Sequence, residues 1–194
     1  MLQQTRIEAV KKYYSRFIEM LPTITDLAMV DEERLLKLWE GLGYYNRARN
    51  LKKAAQIMVE QYAGKMPTSY AELCTLPGIG EYTAGAIASI CFGEKVPAVD
   101  GNVLRVITRI IGSFQDVLLP ETKKEITQRL KMIMPEKSGE FNEALMELGE
   151  VICIPNTVPL CDKCPLKQIC IANQKNLTKQ IPVRIKKQKR SKEE

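Results

Sequence analysis

Apolar residues recur at intervals of three and four along most of the chain, which is the spacing of one face of an α-helix. Alternating β-branched runs, which would indicate β-strands, are missing from the sequence. The pattern therefore predicts an all-α protein. Helices are predicted over three early apolar stripes that end near Leu21, Gly43 and Gly64, and then over residues 70–75, 82–92, 103–111, 121–134 and 140–152.

The helical stripes assign several residues to the interior. Tyr14 lies in the first stripe, and Cys74 and Cys91 fall within later helices, where a thiol serves as a small apolar residue. The small residues Thr83–Ala86 predict a slim helix that packs closely against a neighbour. Asn102 is the predicted cap of the helix over residues 103–111.

The composition is that of a globular protein without histidine. A length of 194 residues, with 45% hydrophobic and 27% charged residues, predicts one large domain or two small ones. The absence of histidine excludes histidine relays, histidine metal ligands and a histidine base. Any catalysis must then use carboxylates, Tyr, Lys, Cys or a cofactor. No signal peptide or membrane span is evident, so we expect a cytoplasmic, nucleoid-associated protein.

The net charge of +6 is concentrated at the end of the chain. Residues 175–194 carry eight basic and two acidic residues, which leaves the preceding part neutral. Such a tail is typical of a solvated terminus or linker. The predicted organisation is a helical lobe over residues 1–111, a second lobe over residues 112–174 that contains a cysteine cluster, and the basic tail.

The cysteine cluster follows the spacing C-x7-C-x2-C-x5-C, formed by Cys153, Cys161, Cys164 and Cys170. Prolines in this segment indicate a loop rather than an apolar helix face. Four thiolates within 18 residues suit either Zn²⁺ or a 4Fe-4S cluster. The spacing alone leaves both metals open.

Two glycines lie in the segment Leu76–Gly80, between two predicted helices. Glycines two positions apart permit a tight turn whose backbone N–H groups can approach a DNA phosphate, and the helix that follows adds the positive end of its dipole. A purely structural turn is the alternative.

Asp100 lies between the apolar segment 96–99 and a predicted helix. A carboxylate at this place can cap the helix or form a turn. Alternatively, a partly desolvated carboxylate at a helix N-terminus can stabilise a developing cation. The sequence leaves these two roles open.

In combination, these motifs resemble the helix-hairpin-helix DNA glycosylases with a 4Fe-4S cluster, the superfamily of endonuclease III. Within it, the chain is most similar to the adenine DNA glycosylases, which remove adenine mispaired with 8-oxoguanine or guanine. The resemblance extends to about Asn173. It rests on Met1–Thr5, Gly41–Tyr45, Arg47–Leu51, Leu76–Gly80, Tyr82–Gly85 and Val99–Asn102, together with the cysteine loop.

The resemblance implies a two-lobed fold, with a six-helix barrel lobe, a cluster lobe and the helix-hairpin-helix at about residues 69–92. Asp100 would stabilise the oxocarbenium-like sugar or form a covalent adduct with it, supported by Tyr82 and Asn102. The cysteine loop would bind a 4Fe-4S cluster rather than Zn²⁺. The implied DNA-binding residues are Gln3, Gln4, Thr5, Tyr44, Arg47, Arg49, Gly78 and Gly80.

Among these residues, Gln4 and Tyr44 would wedge into the base stack as adenine is flipped out. For Arg47 and Arg49, a pair on a helix surface is the alternative to a DNA contact. Tyr82 separates two branches of the superfamily, because the bifunctional lyases carry a Schiff-base lysine at this position. The resemblance therefore implies a monofunctional, hydrolytic enzyme.

The resemblance also indicates what the chain lacks. The general acid of the family is a glutamate whose position falls two residues upstream of Met1. Loss of a positioned proton donor costs about two to four powers of ten in rate. We therefore expect this chain to bind mispaired double-stranded DNA, as a monomer, and to excise adenine very slowly. It resembles a catalytic core truncated at both ends, with the tail as the linker to a C-terminal domain that reads 8-oxoguanine.

A second hypothesis is a DNA-binding module without catalytic activity, stabilised by Zn²⁺ or an iron-sulfur site. In that case the glycine turn binds phosphate and Asp100 only caps a helix. Iron, labile sulfide and a brown colour distinguish the first hypothesis from a colourless zinc protein.

Overall fold

The computed structural model describes residues 1, 3, 5 and 7–185. Gln4 and residues 186–194 of the predicted basic tail lie outside these described residues. Within them the protein is helical and forms no β-strand, so the predicted all-α class is confirmed. No helix in this part of the chain is long and apolar enough to span a membrane.

The elements follow the predicted order. The helices are α1 (Ile7–Met20), α2 (Ile24–Met29), α3 (Glu32–Trp39), α4 (Asn46–Gln61), α5 (Tyr70–Leu73), α6 (Glu81–Phe92), α7 (Gly101–Ile111), α8 (Pro120–Ile133), α9 (Ser138–Glu147) and α10 (Ile171–Gln174). A π-helical turn over Leu148–Ile152 and a 3₁₀ turn over Cys161–Lys163 complete the described part of the chain.

Contacts within the chain divide it into two units, Met1–Gly80 and Glu81–Glu194. In the first unit α2 packs against α4, and α3 packs against both α1 and α4. The core of this unit surrounds Trp39, whose ring meets the edge of Phe17 with the ring centroids 5.9 Å apart. Burial of these apolar faces is the main source of stability for such short helices.

In the second unit, α7 is central, because it packs against α8, α9, α10 and the π turn. These contacts join α7 to the helices that follow it, whereas the sequence predicts a boundary between residues 111 and 112. α6 packs against α9. A Cβ atom on Gly85 would lie 2.7 Å from the carbonyl oxygen of Pro97, which confirms the predicted close packing of α6.

Asn142 of α9 fixes the segment that leads to Asp100. Its side chain is only 1% exposed. Nδ2 donates hydrogen bonds to the Val96 carbonyl at 2.9 Å and to Ser89 Oγ at 2.8 Å, and Oδ1 accepts from the Ala98 N–H at 3.0 Å. A buried amide with these partners holds an otherwise irregular segment in one conformation.

Several local predictions are wrong. Asp100, and not Asn102, caps α7, since its side chain accepts from two backbone N–H groups of the first turn. Tyr14 is 56% exposed, because the buried face of α1 includes the adjacent Tyr13 instead. Cys91 is exposed, and Cys74 is half-buried at the end of α5.

The end of one helix and the presence of a short helix also differ from the prediction. The last long helix ends at Glu147 rather than Ile152, because the backbone continues as a π turn. α2 has only six residues, too few for a clear apolar period, and was not predicted. Its Thr23 and Asp26 side chains form a capping box, which is the sequence signal of its start.

Candidate functional site

Asp100 lies at the N-terminus of α7, half-buried, with its two carboxylate oxygens in different surroundings. Oδ1 accepts from the N–H groups of Asn102 at 2.9 Å and Val103 at 2.8 Å. Within the described part of the chain, no group donates a hydrogen bond to Oδ2. The capping role is therefore carried by one oxygen, and the other is available to a ligand.

Tyr82, in the first turn of α6, lies within electrostatic range of Asp100. Burial raises the pKa of the Tyr82 hydroxyl, and the charges of Asp100 and Glu150 raise it further. The hydroxyl, 3.5 Å from Met146 Sδ, therefore stays neutral and protonated near pH 7. Tyr82 and Asp100, both predicted site residues, share this part of the second unit.

Asn102, the third predicted residue, is linked to the cysteine loop through Arg105. The guanidinium of Arg105 donates from Nη2 to Asn102 Oδ1 at 2.9 Å and to the Gly149 carbonyl at 2.7 Å, and from Nε to the Cys153 carbonyl at 2.8 Å. Arg105 is only 2% exposed. One buried side chain thus joins the start of α7, the π turn and the first cysteine.

Arg109, one turn further along α7, holds the cysteine loop itself. Its Nη1 lies 3.2 Å from Cys153 Sγ, while Nε donates to the Ile181 carbonyl at 2.8 Å and Nη2 to the Thr178 carbonyl at 2.9 Å. The Cys170 thiol lies 3.4 Å from the carbonyl oxygen of Arg109. Two of the four cysteines therefore contact one residue of α7.

The four sulfur atoms influence one another. Burial raises the pKa of Cys161 and of Cys164, and the neighbouring cysteines raise both further. Among the residues that the structure describes, no three His, Cys, Asp or Glu side chains converge on a single-ion site. The four thiols therefore lie within electrostatic reach of one another without converging on one point.

The donor set of this loop fits a metal group bound by thiolates. Arg105 and Arg109 are buried and form no ion pair with a carboxylate in the described part of the chain. A cysteine that binds a metal is a thiolate, so a metal group on this loop would bring negative charge close to these two buried cations. Arg109 Nη1, 3.2 Å from Cys153 Sγ, would then donate a charge-assisted hydrogen bond to that sulfur.

In the first unit, Leu76–Gly80 forms the predicted tight turn. Gly78 has a φ of +80°, and a Cβ atom there would lie 2.9 Å from Asn50 Cβ, so the turn requires glycine. The N–H groups of Gly78 and Gly80 donate to no acceptor in the described residues. Gln3 Nε2 donates to the Gly78 carbonyl at 3.2 Å, which joins the start of the chain to the turn.

Tyr44 lies in the loop before α4 and Arg49 lies in α4, and the two side chains differ in their exposure and contacts. Tyr44 is 64% exposed and has a φ of +49°, a conformation that costs a non-glycine residue on the order of 1 kcal/mol. Arg49 Nε donates to Glu32 Oε1 at 2.8 Å in an exposed ion pair. Thr5 is half-buried, and Gln4 lies outside the described residues.

Arg47 is half-buried, and its guanidinium is directed at the protein's own backbone. Its guanidinium donates to four backbone carbonyls, those of Met1, Gln3, Leu42 and Gly43. The predicted DNA-binding residues Gln3, Tyr44 and Arg47 are thus brought together in the first unit, whereas Asp100, Tyr82 and Asn102 are brought together in the second.

Sequence reasoning missed Arg105, Arg109, Asn142 and Glu150. The signal for the first two is a pair of arginines four residues apart in the otherwise apolar helix VLRVITRII. A charged residue on an apolar face is rarely buried unless it has partners. Asn142 and Glu150 have no comparable signal, because their partners lie far away in the sequence.

The all-helical fold agrees with the comparisons. The chain belongs to the HhH-GPD superfamily of base excision DNA repair proteins, whose pattern matches residues 1–136. It is 43% identical over 179 residues to the human adenine DNA glycosylase, covering 90% of this chain and 32% of that protein. It is 37% identical over 188 residues to the adenine DNA glycosylase of Buchnera aphidicola subsp. Schizaphis graminum, covering 96% and 54%.

Solved structures agree with this family. A thermostable thymine-DNA glycosylase superposes with a TM-score of 0.78 at 28% identity, covering 90% of this chain and 80% of that one. An endonuclease III in a non-covalent complex with DNA superposes with a TM-score of 0.76 at 29% identity, covering 91% and 81%. The chain thus spans most of these two structures but only about a third to a half of the two curated relatives.

Proposed function

We propose that this chain hydrolyses the N-glycosidic bond of adenine mispaired with 8-oxoguanine or guanine in double-stranded DNA. The observation that carries the proposal is the arrangement of Asp100, whose Oδ1 caps α7 while Oδ2 has no donor among the described residues. The similarity to adenine DNA glycosylases supports adenine as the base removed.

In this proposal Asp100 stabilises the positive charge that develops on the sugar as adenine leaves, or forms a covalent adduct with the sugar through Oδ2. The two N–H donors on Oδ1 hold the carboxylate in place, so little reorganisation is needed during the reaction. Tyr82, held protonated by burial, supplies a neutral hydroxyl beside the site. Asn102 and Arg105 position the first turn of α7.

The reaction is hydrolysis without strand cleavage. A lyase requires an amine that forms a Schiff base with the opened sugar, and the family places that amine where this chain has Tyr82. Borohydride trapping with an abasic duplex tests this assignment, and we expect no covalent complex. A trapped complex would contradict it.

Cys153, Cys161, Cys164 and Cys170 would hold a 4Fe-4S cluster, with Zn²⁺ as the alternative. The cluster would serve as a structural element that holds the loop against α7. Iron and acid-labile sulfide, measured together with the visible absorbance of the purified protein, distinguish the two metals. We expect iron, and a colourless protein that contains zinc would contradict the assignment.

DNA contacts are proposed for Gln3, Gln4, Thr5, Tyr44 and Arg49 and for the N–H groups of Gly78 and Gly80. The free N–H groups of the glycine turn suit a phosphate oxygen. The strained backbone of the exposed Tyr44 suits a side chain that must enter the base stack. We propose that the protein works as a monomer on DNA in the cell interior.

Substitution of Asp100 separates the chemical role from the cap. Asp100→Asn keeps an oxygen that can accept from the N–H groups of the first turn, whereas Asp100→Ala removes the cap as well. We expect both variants to lose at least about a hundredfold in single-turnover excision, because the developing charge is no longer stabilised. Only Asp100→Ala is expected to lose about 1 kcal/mol of stability.

Equal excision by the wild type and Asp100→Asn would mean that Asp100 is only a helix cap. No excision by the wild type, together with binding of the duplex, would instead indicate a DNA-binding module of the same fold. The assay must therefore include an A:8-oxoguanine duplex, and denaturation in urea must show that each variant is folded.

A further inference from the structure

The side chain of Arg47 donates hydrogen bonds to two separate stretches of backbone. Nη1 donates to the carbonyls of Met1 and Gln3, and Nη2 donates to those of Leu42 at 3.3 Å and Gly43 at 3.4 Å. The first two belong to the N-terminal segment, described at residues 1, 3 and 5, and the other two to the loop before α4. The N–H groups of both terminal nitrogens are thus directed at the protein's own backbone.

Two aromatic rings enclose the same guanidinium. Its central carbon lies 5.5 Å from the ring centre of Trp39 and 5.4 Å from that of Tyr44. Nε is buried and has no hydrogen-bond partner in the described residues. A planar cation stacked on aromatic faces is held more firmly than a flexible ammonium group would be.

The contacts of Arg47 extend to the glycine turn through Gln3. The Gln3 carbonyl accepts from Arg47, and the Gln3 side chain donates to the Gly78 carbonyl at 3.2 Å. Tyr44, at the other side of the guanidinium, presents an exposed ring from a strained backbone. Arg47 therefore connects three features to which DNA contacts are assigned above.

We propose that Arg47 is a positioning residue that fixes the N-terminal segment, Tyr44 and, through Gln3, the glycine turn as one DNA-binding surface, without itself contacting a phosphate. A phosphate contact would require Nη1 or Nη2 to leave a backbone carbonyl. This inference rests on the proposed function, because the surface is the one assigned to recognition of mispaired DNA.

The salt dependence of DNA affinity distinguishes a residue that positions the surface from one that contacts a phosphate. Each phosphate contact to B-DNA contributes about 0.9 to the slope of log K against log salt concentration. Affinities of the wild type, Arg47→Ala and Arg47→Lys should therefore be measured at several salt concentrations for an A:8-oxoguanine duplex and for a matched duplex. Arg49→Ala is the comparison for a direct contact, because Arg49 lies on the same helix in an exposed ion pair and is assigned a DNA contact above; this variant should lose affinity for both duplexes and lower the salt slope.

For Arg47→Ala we expect a loss of about tenfold or more in affinity for the mispaired duplex, because the N-terminal segment must then be ordered on binding. Affinity for the matched duplex is expected to fall less, because the two duplexes share only the backbone contacts of this surface, and the salt slope is expected to stay unchanged. An equal loss on both duplexes, with a slope lower by about 0.9, would show a direct phosphate contact and overturn the inference.

Trp39, the single tryptophan of the chain, gives a measurement without DNA. Loss of the stacked guanidinium should change its emission and its quenching by acrylamide in Arg47→Ala, whereas Arg49→Ala should match the wild type. Unchanged Trp39 emission in Arg47→Ala would overturn the inference. Should that variant fail to fold, the same measurements on Arg47→Lys decide, since lysine keeps the charge but loses the planar fork.

A protein without the proposed function would give a different result from a protein in which only the role of Arg47 is wrong. A wild-type protein that binds mispaired and matched duplexes equally would contradict mispair recognition. The salt slope on matched DNA and the emission of Trp39 would still test whether Arg47 holds the surface together.

Discussion

Arg47 in the first unit and the pair Arg105 and Arg109 in the second use the same chemistry at different depths. Each guanidinium donates mainly to backbone carbonyls, and none forms an ion pair with a carboxylate in the described part of the chain. Arg105 and Arg109 are 2% and 5% exposed, while Arg47 is partly exposed beside Tyr44. In the first unit, an arginine that bonds to backbone carbonyls orders part of the surface. In the second unit, two such arginines order the interior.

The difference teaches how to interpret arginines in a DNA-binding protein. The guanidinium offers five N–H donors in a fixed plane, so it can join several loops that no helix or strand connects. Where these donors are already used by carbonyls, the basic charge is not available to phosphate. The substitutions below test this comparison, from the largest expected effect to the smallest.

The largest effect is expected for Arg109→Ala. It leaves the carbonyls of Ile181, Thr178 and Ile154 without their donor and removes the cation beside Cys153 Sγ. We expect a loss of about 3–5 kcal/mol in the free energy of unfolding, together with loss of the iron that the proposed 4Fe-4S cluster would contain. Urea denaturation and the iron-to-protein ratio measure both.

The control for Arg109→Ala is Arg129→Ala, which removes an exposed ion pair with Glu125 on α8. Exposed pairs of this kind contribute about 0–1 kcal/mol. Similar losses of stability and iron in the two variants would show that the burial of Arg109 carries no special role.

A somewhat smaller effect is expected for Arg105→Met, which keeps an apolar stem but removes three hydrogen bonds. We expect about 2–4 kcal/mol of lost stability. Because Asn102 and Gly149 lose their shared donor at the start of α7, excision should fall more than DNA affinity does. Equal losses in excision rate and affinity would count against a link between the cysteine loop and Asp100.

A pH-dependent effect is expected at Tyr82. Burial, with the charges of Asp100 and Glu150, raises the pKa of Tyr82 above its usual value of about 10. The folded state then holds this proton more tightly than the unfolded state, so the contribution is present below about pH 10 and is lost as the pH rises through the folded-state value.

Tyr82→Phe tests this assignment. Denaturation in urea from pH 8 to about pH 11 should show the wild type losing stability relative to the variant only in the alkaline range. A constant difference between the two proteins across the whole range would contradict the raised pKa.

The smallest effect is expected for Arg49→Ala in the first unit. The Arg49 side chain lowers the pKa of the exposed Glu32 by hydrogen bonding and by its charge. This contribution is present above the unfolded-state pKa of Glu32 and is lost as the pH falls through the lower folded-state value. The melting temperatures of wild type and variant should be close at pH 7 and should converge in acid. A large difference at pH 7 would show that Arg49 belongs with the buried arginines.

Much of the fold could be predicted because the helices carry their own periodic signal. The apolar spacing of α1, α4 and α7 is local information, and so are the glycines of the turn and the spacing of the cysteines. The resemblance to the helix-hairpin-helix glycosylases rested on the same local motifs, and the family membership is confirmed.

The remaining features depend on partners distant in the sequence. Arg105 bonds to Cys153, 48 residues away, and Asn142 bonds to Val96, 46 residues away. No local pattern encodes such pairs. The cap of α7 is ambiguous in the sequence for a different reason, since Asp100 and Asn102 are both good capping residues and only the backbone geometry distinguishes them.

The partners of Arg109 have a consequence for the order in which the chain can fold. Its acceptor at Ile181 lies 72 residues further along the chain, whereas the carbonyls bound by Arg47 all precede it. During synthesis from the N-terminus, the contacts of Arg47 can form soon after α4 leaves the ribosome. The guanidinium groups of Arg105 and Arg109 in α7 have none of their partners in the cysteine loop and the segment after α10 until these parts have been synthesised. We therefore expect nascent chains that end before residue 181 to acquire the first unit but to leave the second incomplete.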